Sequence, residues 1–162
     1  MGEPSGESVT QVSIKRLGCG DERVLTLLAT QDADFDLDGR SAPLAPLAPD
    51  HAQRFLADDA VLLWTAMDGD EVVGFLFCLI VPLRSGDGQE LLLYEIGVRS
   101  AWRRRGVGRA LLDEMERWMK TTGVSEVWVL SDNPAAVEFY RGCGFASDPD
   151  QPTYMTREIT YG

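Results

Sequence analysis

The stretch that decides the fold runs from Tyr94 to Leu112 and reads YEIGVRSAWRRRGVGRALL. An apolar strand passes into a basic, glycine-containing turn, and the turn opens an amphipathic helix. The first N–H groups of a helix have no intrahelical partner, and the helix dipole makes that end positive. Gly106 and Gly108 let the backbone approach a ligand closely. The turn therefore predicts a site for a phosphate or a similar anion.

Positive charge is concentrated at this turn in a chain that is otherwise acidic. The sequence holds 26 Asp and Glu against 15 Lys and Arg, a net charge of −11, and 17 of those acids but only 7 of those bases precede residue 103. The arginines around the glycines are Arg103, Arg104, Arg105 and Arg109. We expect an anionic ligand here, a cationic partner elsewhere, and no sequence-independent binding of nucleic acid. The alternative is a helix start with solvated arginines.

Length and composition predict one domain over residues 9–162, after a disordered segment over 1–8. The chain has 162 residues and is 44% hydrophobic, which is enough for a core without disulfides or a structural metal. Three cysteines without C-x-x-C spacing and a single histidine exclude zinc clusters and favour a reducing cytoplasm. The longest apolar run, Val72 to Leu83, is too short to span a bilayer, so we expect no membrane association.

The hydrophobic periodicity predicts the element order β-α-α-β-β-β-α-β-α-β-β. A hairpin over 61–81 and a strand over 91–98 form an antiparallel meander, and a helix ending at Gly123 leads to a parallel strand over 124–130. A further helix begins at Asn133-Pro134, and two short strands end the chain. The expected fold is α/β (α+β), with a mixed, mostly antiparallel sheet of about six to seven strands flanked by about four helices.

Two motifs resemble those of a known superfamily. Arg103-x-x-Gly106-x-Gly108, followed by RALL, resembles the acyl-CoA signature of the GNAT N-acetyltransferases, and NPAAVEFYRGCGF over 133–145 resembles their second signature. Within the superfamily the chain is most similar to the type I aminoglycoside 3-N-acetyltransferases, because an acidic early loop, a Val-Val-Gly strand ending in Val-Pro-Leu and the pair Tyr94-Glu95 occur in the same order. The resemblance implies the GNAT fold.

The resemblance also implies acetyl-CoA as the cofactor, with no metal. The N–H groups of the turn would hold its pyrophosphate, one strand edge would pair with pantetheine, and residues of the last helix would contact the cofactor, with Tyr140 at its sulfur. The implied cofactor-binding residues are Ile96, Gly97, Val98, Arg103, Arg104, Arg105, Gly106, Val107, Gly108, Arg109, Asn133, Ala136 and Tyr140.

Transfer of an acetyl group from a thioester to an amine needs a neutral amine, a stabilised oxyanion and a proton for the thiolate. The Tyr140 hydroxyl is the candidate acid by resemblance; alternatively its ring only packs at the helix end. By period two, Glu95 shares an apolar strand face with Leu91, Leu93 and Gly97, so its carboxylate is the candidate base or ammonium ligand. The alternatives are a solvent-facing Glu95 or one paired with an arginine. The N–H of Ile96 or Gly97, at a bulge, is the candidate oxyanion donor.

Acidic loops are the expected binding surface for the amine. Acidic residues lie in the proline-flanked loop over 31–49, on the strand at Glu95, and after the last helix, and together they would attract a polycation. The candidate substrate-binding residues are Asp32, Asp34, Asp36, Glu95, Asp148 and Asp150. Solvated acidic loops without a ligand are the alternative.

The residues and the resemblance together predict a cytoplasmic N-acetyltransferase of a cationic small-molecule amine. The resemblance implies dependence on acetyl-CoA, an aminoglycoside acetylated at its 3-amino group as the acceptor, and a role in antibiotic resistance. Direct transfer in a ternary complex is favoured because no cysteine has an evident activating environment. Three alternatives stay open: acetylation of a protein N-terminus or lysine, acetylation of a polyamine or metabolite, and a non-catalytic acyl-CoA-binding module. Relatives are usually dimers, and residues 153–160 offer a pairing edge for a homodimer.

Overall fold

The computed structural model describes residues 11–35, 42–131, 133–150 and 152–162. They divide into two compact units, the first ending at Leu130 and the second beginning at Ser131. The segment predicted to be disordered, residues 1–8, lies outside the described residues, and the single domain over 9–162 stays a prediction. No helix in the described ranges combines the length and the apolar character that crossing a membrane requires.

The first unit follows the predicted order of helices and strands. Its elements are β1 (Ser13–Arg16), α1 (Glu22–Thr30), α2 (Pro49–Ala57), β2 (Val61–Asp68), β3 (Glu71–Pro82), β4 (Gln89–Val98), α3 (Val107–Thr122) and β5 (Val127–Val129). Short 3-10 turns, Asp32–Phe35 and Ser100–Trp102, follow α1 and β4. The second unit contains α4 (Pro134–Gly142).

The sheet has the order β1-β2-β3-β4-β5, and every neighbouring pair is antiparallel except β4 and β5, which are parallel. The predicted mixed, mostly antiparallel sheet is therefore confirmed, as is the number of helices among the described residues. The prediction of six to seven strands is wrong for this part of the chain, which has five. Residues 152–162 are exposed along their whole length, and none of them belongs to a strand.

The strand predicted over 124–130 is shortened because its start is used to end α3. Gly123 adopts a left-handed conformation with φ 78°, and its N–H donates to Met119 O at 2.9 Å. The N–H of Val124 donates to the same carbonyl at 3.1 Å, and its side chain is buried. Val124 therefore belongs to the helix cap, and pairing with β4 begins only at Val127.

A β-bulge interrupts β4. Leu93 lies opposite Cys78 and Glu95 lies opposite Phe77, so Tyr94 is an extra residue between two regular pairs. Since Phe77 and Cys78 are adjacent on β3, their side chains point to opposite faces of the sheet. Directly opposite residues of an antiparallel pair share a face, so Leu93 and Glu95 also point to opposite faces.

The prediction that Glu95 shares a face with Leu91 and Leu93 is therefore wrong. Counting by twos along the sequence assumes a regular ladder, and one inserted residue reverses the count. Glu95 does share its face with Gly97, which follows the bulge. The bulge predicted at Ile96 or Gly97 lies earlier, at Tyr94.

Each face of the sheet has its own core. On one face α3 packs with buried Leu111 and Met115, and Cys78 Sγ lies 3.8 Å from Met115 Sδ. Burial raises the pKa of the Cys78 thiol to about 12, so this cysteine packs in the core as an un-ionised thiol. On the other face, Phe75 and Leu63 pack with residues of α1, α2 and the first 3-10 turn.

Aromatic side chains pack against the backbone of β4 at Gly97 and leave no room for a Cβ there. A Cβ at this position would lie 2.7 Å from Phe75 Cε1 and 3.2 Å from Phe35 Cβ. We expect Gly97→Ala to lower the free energy of unfolding by about 1–3 kcal/mol, the usual range for overpacking. Urea unfolding checks this, with Gly18→Ala as the control because a Cβ there meets nothing within 4 Å. Equal stability of the two variants would contradict the prediction.

Candidate active site

One edge of β4 is open beyond the bulge. Pairing with β5 ends at Leu93, opposite Val129, whereas the segment from Ile96 to Val98 pairs with β3 and, within the described residues, with no strand on its other side. A bulge bends and twists a strand, which accounts for the separation of β4 from β5. The open backbone can pair with an extended ligand that carries amide groups. The predicted pantetheine edge lies here.

The turn before α3 presents backbone N–H groups to a common ligand. Arg104 and Gly106 have left-handed φ angles of 59° and 79°. Gly106 is the N-cap of α3 and has no side-chain cap, and the first helical hydrogen bond runs from Ala110 N–H to Gly106 O at 3.0 Å. The earlier N–H groups, from Val107 onward, precede this bond at the positive end of the helix. Such a turn binds phosphate oxygens.

Two of the four turn arginines also shape the turn itself. The guanidinium of Arg103 donates from Nη2 to Phe35 O at 3.0 Å and from Nε to Val98 O at 3.4 Å. The guanidinium of Arg105 lies 4.8 Å from the ring centroid of Trp102. Trp102 therefore packs against the turn. Arg104 and Arg109 are exposed.

Two substitutions at Arg104 distinguish the effect of its charge on ligand binding from the effect of backbone strain on stability. We expect Arg104→Gly and Arg104→Ala to weaken CoA binding equally, because both remove one guanidinium. We expect the glycine variant to be more stable by about 1 kcal/mol, since a left-handed φ is unfavourable for alanine. Calorimetric titration with CoA and urea unfolding measure the two effects. An alanine variant as stable as the glycine variant would show that the turn is unstrained.

A pocket of about 160 Å³ lies on the face of the sheet that Glu95 occupies. Two carboxylates line it, Glu95 from β4 and Asp32 from the first 3-10 turn. The remaining lining residues are apolar: Leu25, Leu28, Ala29, Leu44, Phe55, Leu63, Phe75 and Phe77. Asp32 is 3% exposed and Glu95 is half-buried. Carboxylates between apolar walls favour an ammonium group as their ligand and can accept a proton from an amine.

The other predicted substrate-binding residues have different surroundings. Asp34 forms an ion pair with Arg99, and Asp36 lies outside the described residues. In the second unit, Asp148 Oδ1 accepts the N–H of Asp150 at 2.9 Å. The structure thus brings Asp32 and Glu95 together in one pocket and gives Asp34 a structural partner. No cluster of three potential metal ligands occurs in the described ranges.

In the second unit the predicted cofactor contacts lie on α4. Asn133 caps the helix, because its Oδ1 accepts the N–H groups of Ala135 at 2.9 Å and Ala136 at 3.5 Å. The Asn133 amide nitrogen is thus the side-chain group that this cap does not use. Tyr140 is 7% exposed, with its ring 5.5 Å from Phe139 and 5.3 Å from Phe145. The ring therefore packs, and the role of its hydroxyl stays a prediction.

Arg99 is a residue of this region to which neither sequence motif points. It follows β4 directly, is 9% exposed, and binds Asp34 and Gln31 of the segment after α1. The sequence holds one signal for this ion pair. A single arginine lies between the last strand residue and the glycine turn, in a chain whose early loop carries four aspartates.

Residues 27–145 match the model of the Acetyltransferase (GNAT) family. The chain belongs to this family, and the resemblance drawn from the two motifs is confirmed at that level. It is 37% identical over 109 residues to a mycothiol acetyltransferase of Corynebacterium efficiens, an alignment that covers 66% of this chain and 32% of that one. It is 34% identical over 76 residues to an uncharacterized N-acetyltransferase of Methanocaldococcus jannaschii, covering 45% and 34%. The chain spans about a third of the length of these relatives.

Solved structures share the fold. An aminoglycoside acetyltransferase from an uncultured soil metagenomic sample, in complex with sisomicin, has a TM-score of 0.75 at 22% identity, over 91% of this chain and 97% of that one. A ribosomal-protein-alanine N-acetyltransferase from Brucella melitensis has a TM-score of 0.74 at 22% identity, over 93% and 99%. At this identity the likeness concerns the fold alone.

Proposed function

We propose that this chain is an acetyl-CoA-dependent N-acetyltransferase of a cationic small-molecule amine, and that the amine is an aminoglycoside acetylated at its 3-amino group. The observation that carries the proposal is the pocket in which Glu95 and Asp32 meet between apolar walls. Glu95 lies on the same strand as the open edge from Ile96 to Val98, so one strand serves both substrates.

The first unit has the features that acetyl-CoA needs. Its open strand edge suits the amide groups of pantetheine, and the left-handed turn at Arg104 and Gly106 suits the pyrophosphate. A Cβ at Gly106 would meet nothing within 4 Å, so the turn leaves space above the backbone. Bound there, acetyl-CoA supplies the activated acetyl group.

Each remaining step belongs to a side chain or backbone group of this chain. Asp32 holds the positive charge of the acceptor, and Glu95 accepts the proton that the reacting amine loses. The N–H of Ile96 or Gly97 stabilises the developing oxyanion. As the C–N bond forms and the C–S bond breaks, the Tyr140 hydroxyl donates a proton to the leaving thiolate. The roles of Tyr140 and of the cofactor contacts Asn133 and Ala136 rest on the motif over 133–145.

An aminoglycoside is proposed because the net charge of the chain and the ligand of one structural neighbour both favour a cationic acceptor. The net charge of −11 attracts a polycation, and one structure of this fold holds sisomicin. Direct transfer is proposed because the sequence places no cysteine in an evident activating environment, and burial of Cys78, which raises the pKa of its thiol to about 12, agrees with this. The cytoplasmic location, the homodimer and a role in antibiotic resistance are further proposals that rest on the sequence and the resemblance.

A second candidate acceptor is the N-terminus of a protein. The pocket walls include the rings of Phe55, Phe75 and Phe77, which suit a small apolar side chain next to a terminal amine. A ribosomal-protein-alanine N-acetyltransferase is also among the structures of this fold.

Thiol release from acetyl-CoA tests both candidates. Gentamicin, sisomicin, spermidine and a basic peptide are offered as acceptors, and the products are analysed by mass spectrometry and NMR. Acetylation of aminoglycosides alone, on the 3-nitrogen, is the expected result. Turnover of the peptide alone would replace the acceptor and keep the chemistry, whereas CoA binding without turnover of any amine would indicate a non-catalytic acyl-CoA-binding module.

A further inference from the structure

Arg99 links two segments that are far apart in sequence. Its Nε donates to Val72 O at 2.5 Å, its Nη1 donates to Asp34 Oδ2, and its Nη2 donates to Gln31 Oε1. The guanidinium also lies 5.0 Å from the ring centroid of Phe35. Three nitrogens of one buried guanidinium thus serve three acceptors, two of them in the segment that follows α1.

Neighbours of Arg99 strengthen the same link. Arg103 Nη2 donates to Phe35 O at 3.0 Å, and Ser100 Oγ donates to Asp34 O at 3.4 Å. The carboxylate of Glu71 lies 3.7 Å from Arg99 Nε. Residues 31–35 are therefore held from one side by Arg99 and Ser100, which follow β4, and by Arg103 of the turn before α3.

Asp32 lies in the middle of this held segment. Its neighbours Gln31 and Asp34 bind Arg99, whereas Asp32 itself lines the pocket with Glu95. We propose that Arg99 is a positioning residue that holds the Gln31–Phe35 segment, and Asp32 with it, against the acceptor pocket. The proposal assigns Asp34 to the scaffold of the pocket, and it rests on the proposed function only for the identity of what the pocket binds.

Arginine is required at this position because the acceptors lie in different directions. A guanidinium presents several N–H groups in a rigid plane, and that plane can also stack on the Phe35 ring. A lysine ammonium is a single point on a flexible chain, so Arg99→Lys keeps the charge and loses part of the link.

The test compares Arg99→Met, Arg99→Lys and Asp34→Asn with Arg117→Met. Arg117 is an exposed arginine of α3 that also pairs with a carboxylate, that of Glu114, so its replacement controls for loss of an arginine ion pair. Kinetics with acetyl-CoA and sisomicin are measured for each protein, together with hydrogen exchange of residues 31–35 and CoA binding by calorimetry.

For Arg99→Met we expect the amine KM to rise at least about tenfold, while the Kd for CoA stays within about threefold of the wild-type value. Exchange of residues 31–35 should accelerate while that of α3 stays unchanged. Arg99→Lys and Asp34→Asn should give smaller effects of the same kind, and they test the link if Arg99→Met does not fold.

Equal losses for amine and cofactor, or unchanged exchange of residues 31–35, would overturn the proposal. Wild-type protein inactive on every amine would overturn the proposed function, whereas the exchange comparison would still decide whether Arg99 holds this segment.

Discussion

Glu95→Gln is expected to lower kcat by about 10²- to 10⁴-fold, the usual contribution of a general base. Glutamine has nearly the same shape as glutamate, so the pocket keeps its volume, but an amide cannot take up the proton that the amine must lose. The KM for acetyl-CoA should change little, because Glu95 points into the acceptor pocket. Steady-state kinetics with each substrate varied in turn measure both quantities.

Glu116→Gln is the matched control for this substitution. Glu116 is an exposed residue of α3, with Lys120 Nζ 4.0 Å from its carboxylate, so its replacement removes one negative charge away from the pocket. Its kcat should equal that of the wild-type protein. A Glu95→Gln enzyme with kcat within about threefold of the wild-type value would remove Glu95 from the proton transfer.

Tyr140→Phe is expected to lower kcat to a similar extent, by about 10²-fold or more, through loss of the proton donor to the thiolate. The fold should persist, because phenylalanine keeps the ring that packs beside Phe139 and Phe145. Comparison of acetyl-CoA with an acetyl thioester of an aromatic thiol distinguishes loss of the proton donor to the thiolate from loss of some other function of the hydroxyl. An aromatic thiolate needs no proton to leave, so the defect should shrink with that donor.

Tyr154→Phe is the control for the loss of a phenol. Tyr154 is 77% exposed in the same unit, and its replacement should leave kcat unchanged. If Tyr140→Phe were equally slow with both thioesters, the hydroxyl would act elsewhere than at the leaving group. Unchanged kcat with acetyl-CoA would leave Tyr140 as a packing residue.

Local signals in the sequence predicted most of the elements. Gly106 and Gly123 mark both ends of α3, and the Asn133-Pro134 pair marks the start of α4, because capping depends on the residue at the helix end itself. The two strands predicted at the end of the chain have no comparable signal in single residues. A strand needs a partner, and the apolar residues of 152–162 carry no information about whether one is present.

The pocket was less predictable than the elements around it. Asp32 and Glu95 were both expected on the amine-binding surface, but their meeting in one apolar pocket depends on a fold that joins residues 63 positions apart. The Arg99 pairs also span more than 60 positions. The face of Glu95 was predicted wrongly because the surplus residue at Tyr94 leaves no trace in the hydrophobic alternation.

That surplus residue separates two features of the proposed site. Without Tyr94 the ladder would run unbroken, with Leu93 still opposite Cys78 and Glu95 still opposite Phe77, so the carboxylate would keep its direction. Strand β4 would lose its local bend. The parallel pairing of β5 with β4 could then extend over the edge from Ile96 to Val98. The open edge from Ile96 to Val98, where we propose that the cofactor binds, therefore depends on one inserted backbone residue, whereas the proposed preference for an amine depends on the side chain of Glu95. We therefore expect a substitution at Glu95 to change the proposed acceptor pocket and to leave the open edge from Ile96 to Val98 unchanged.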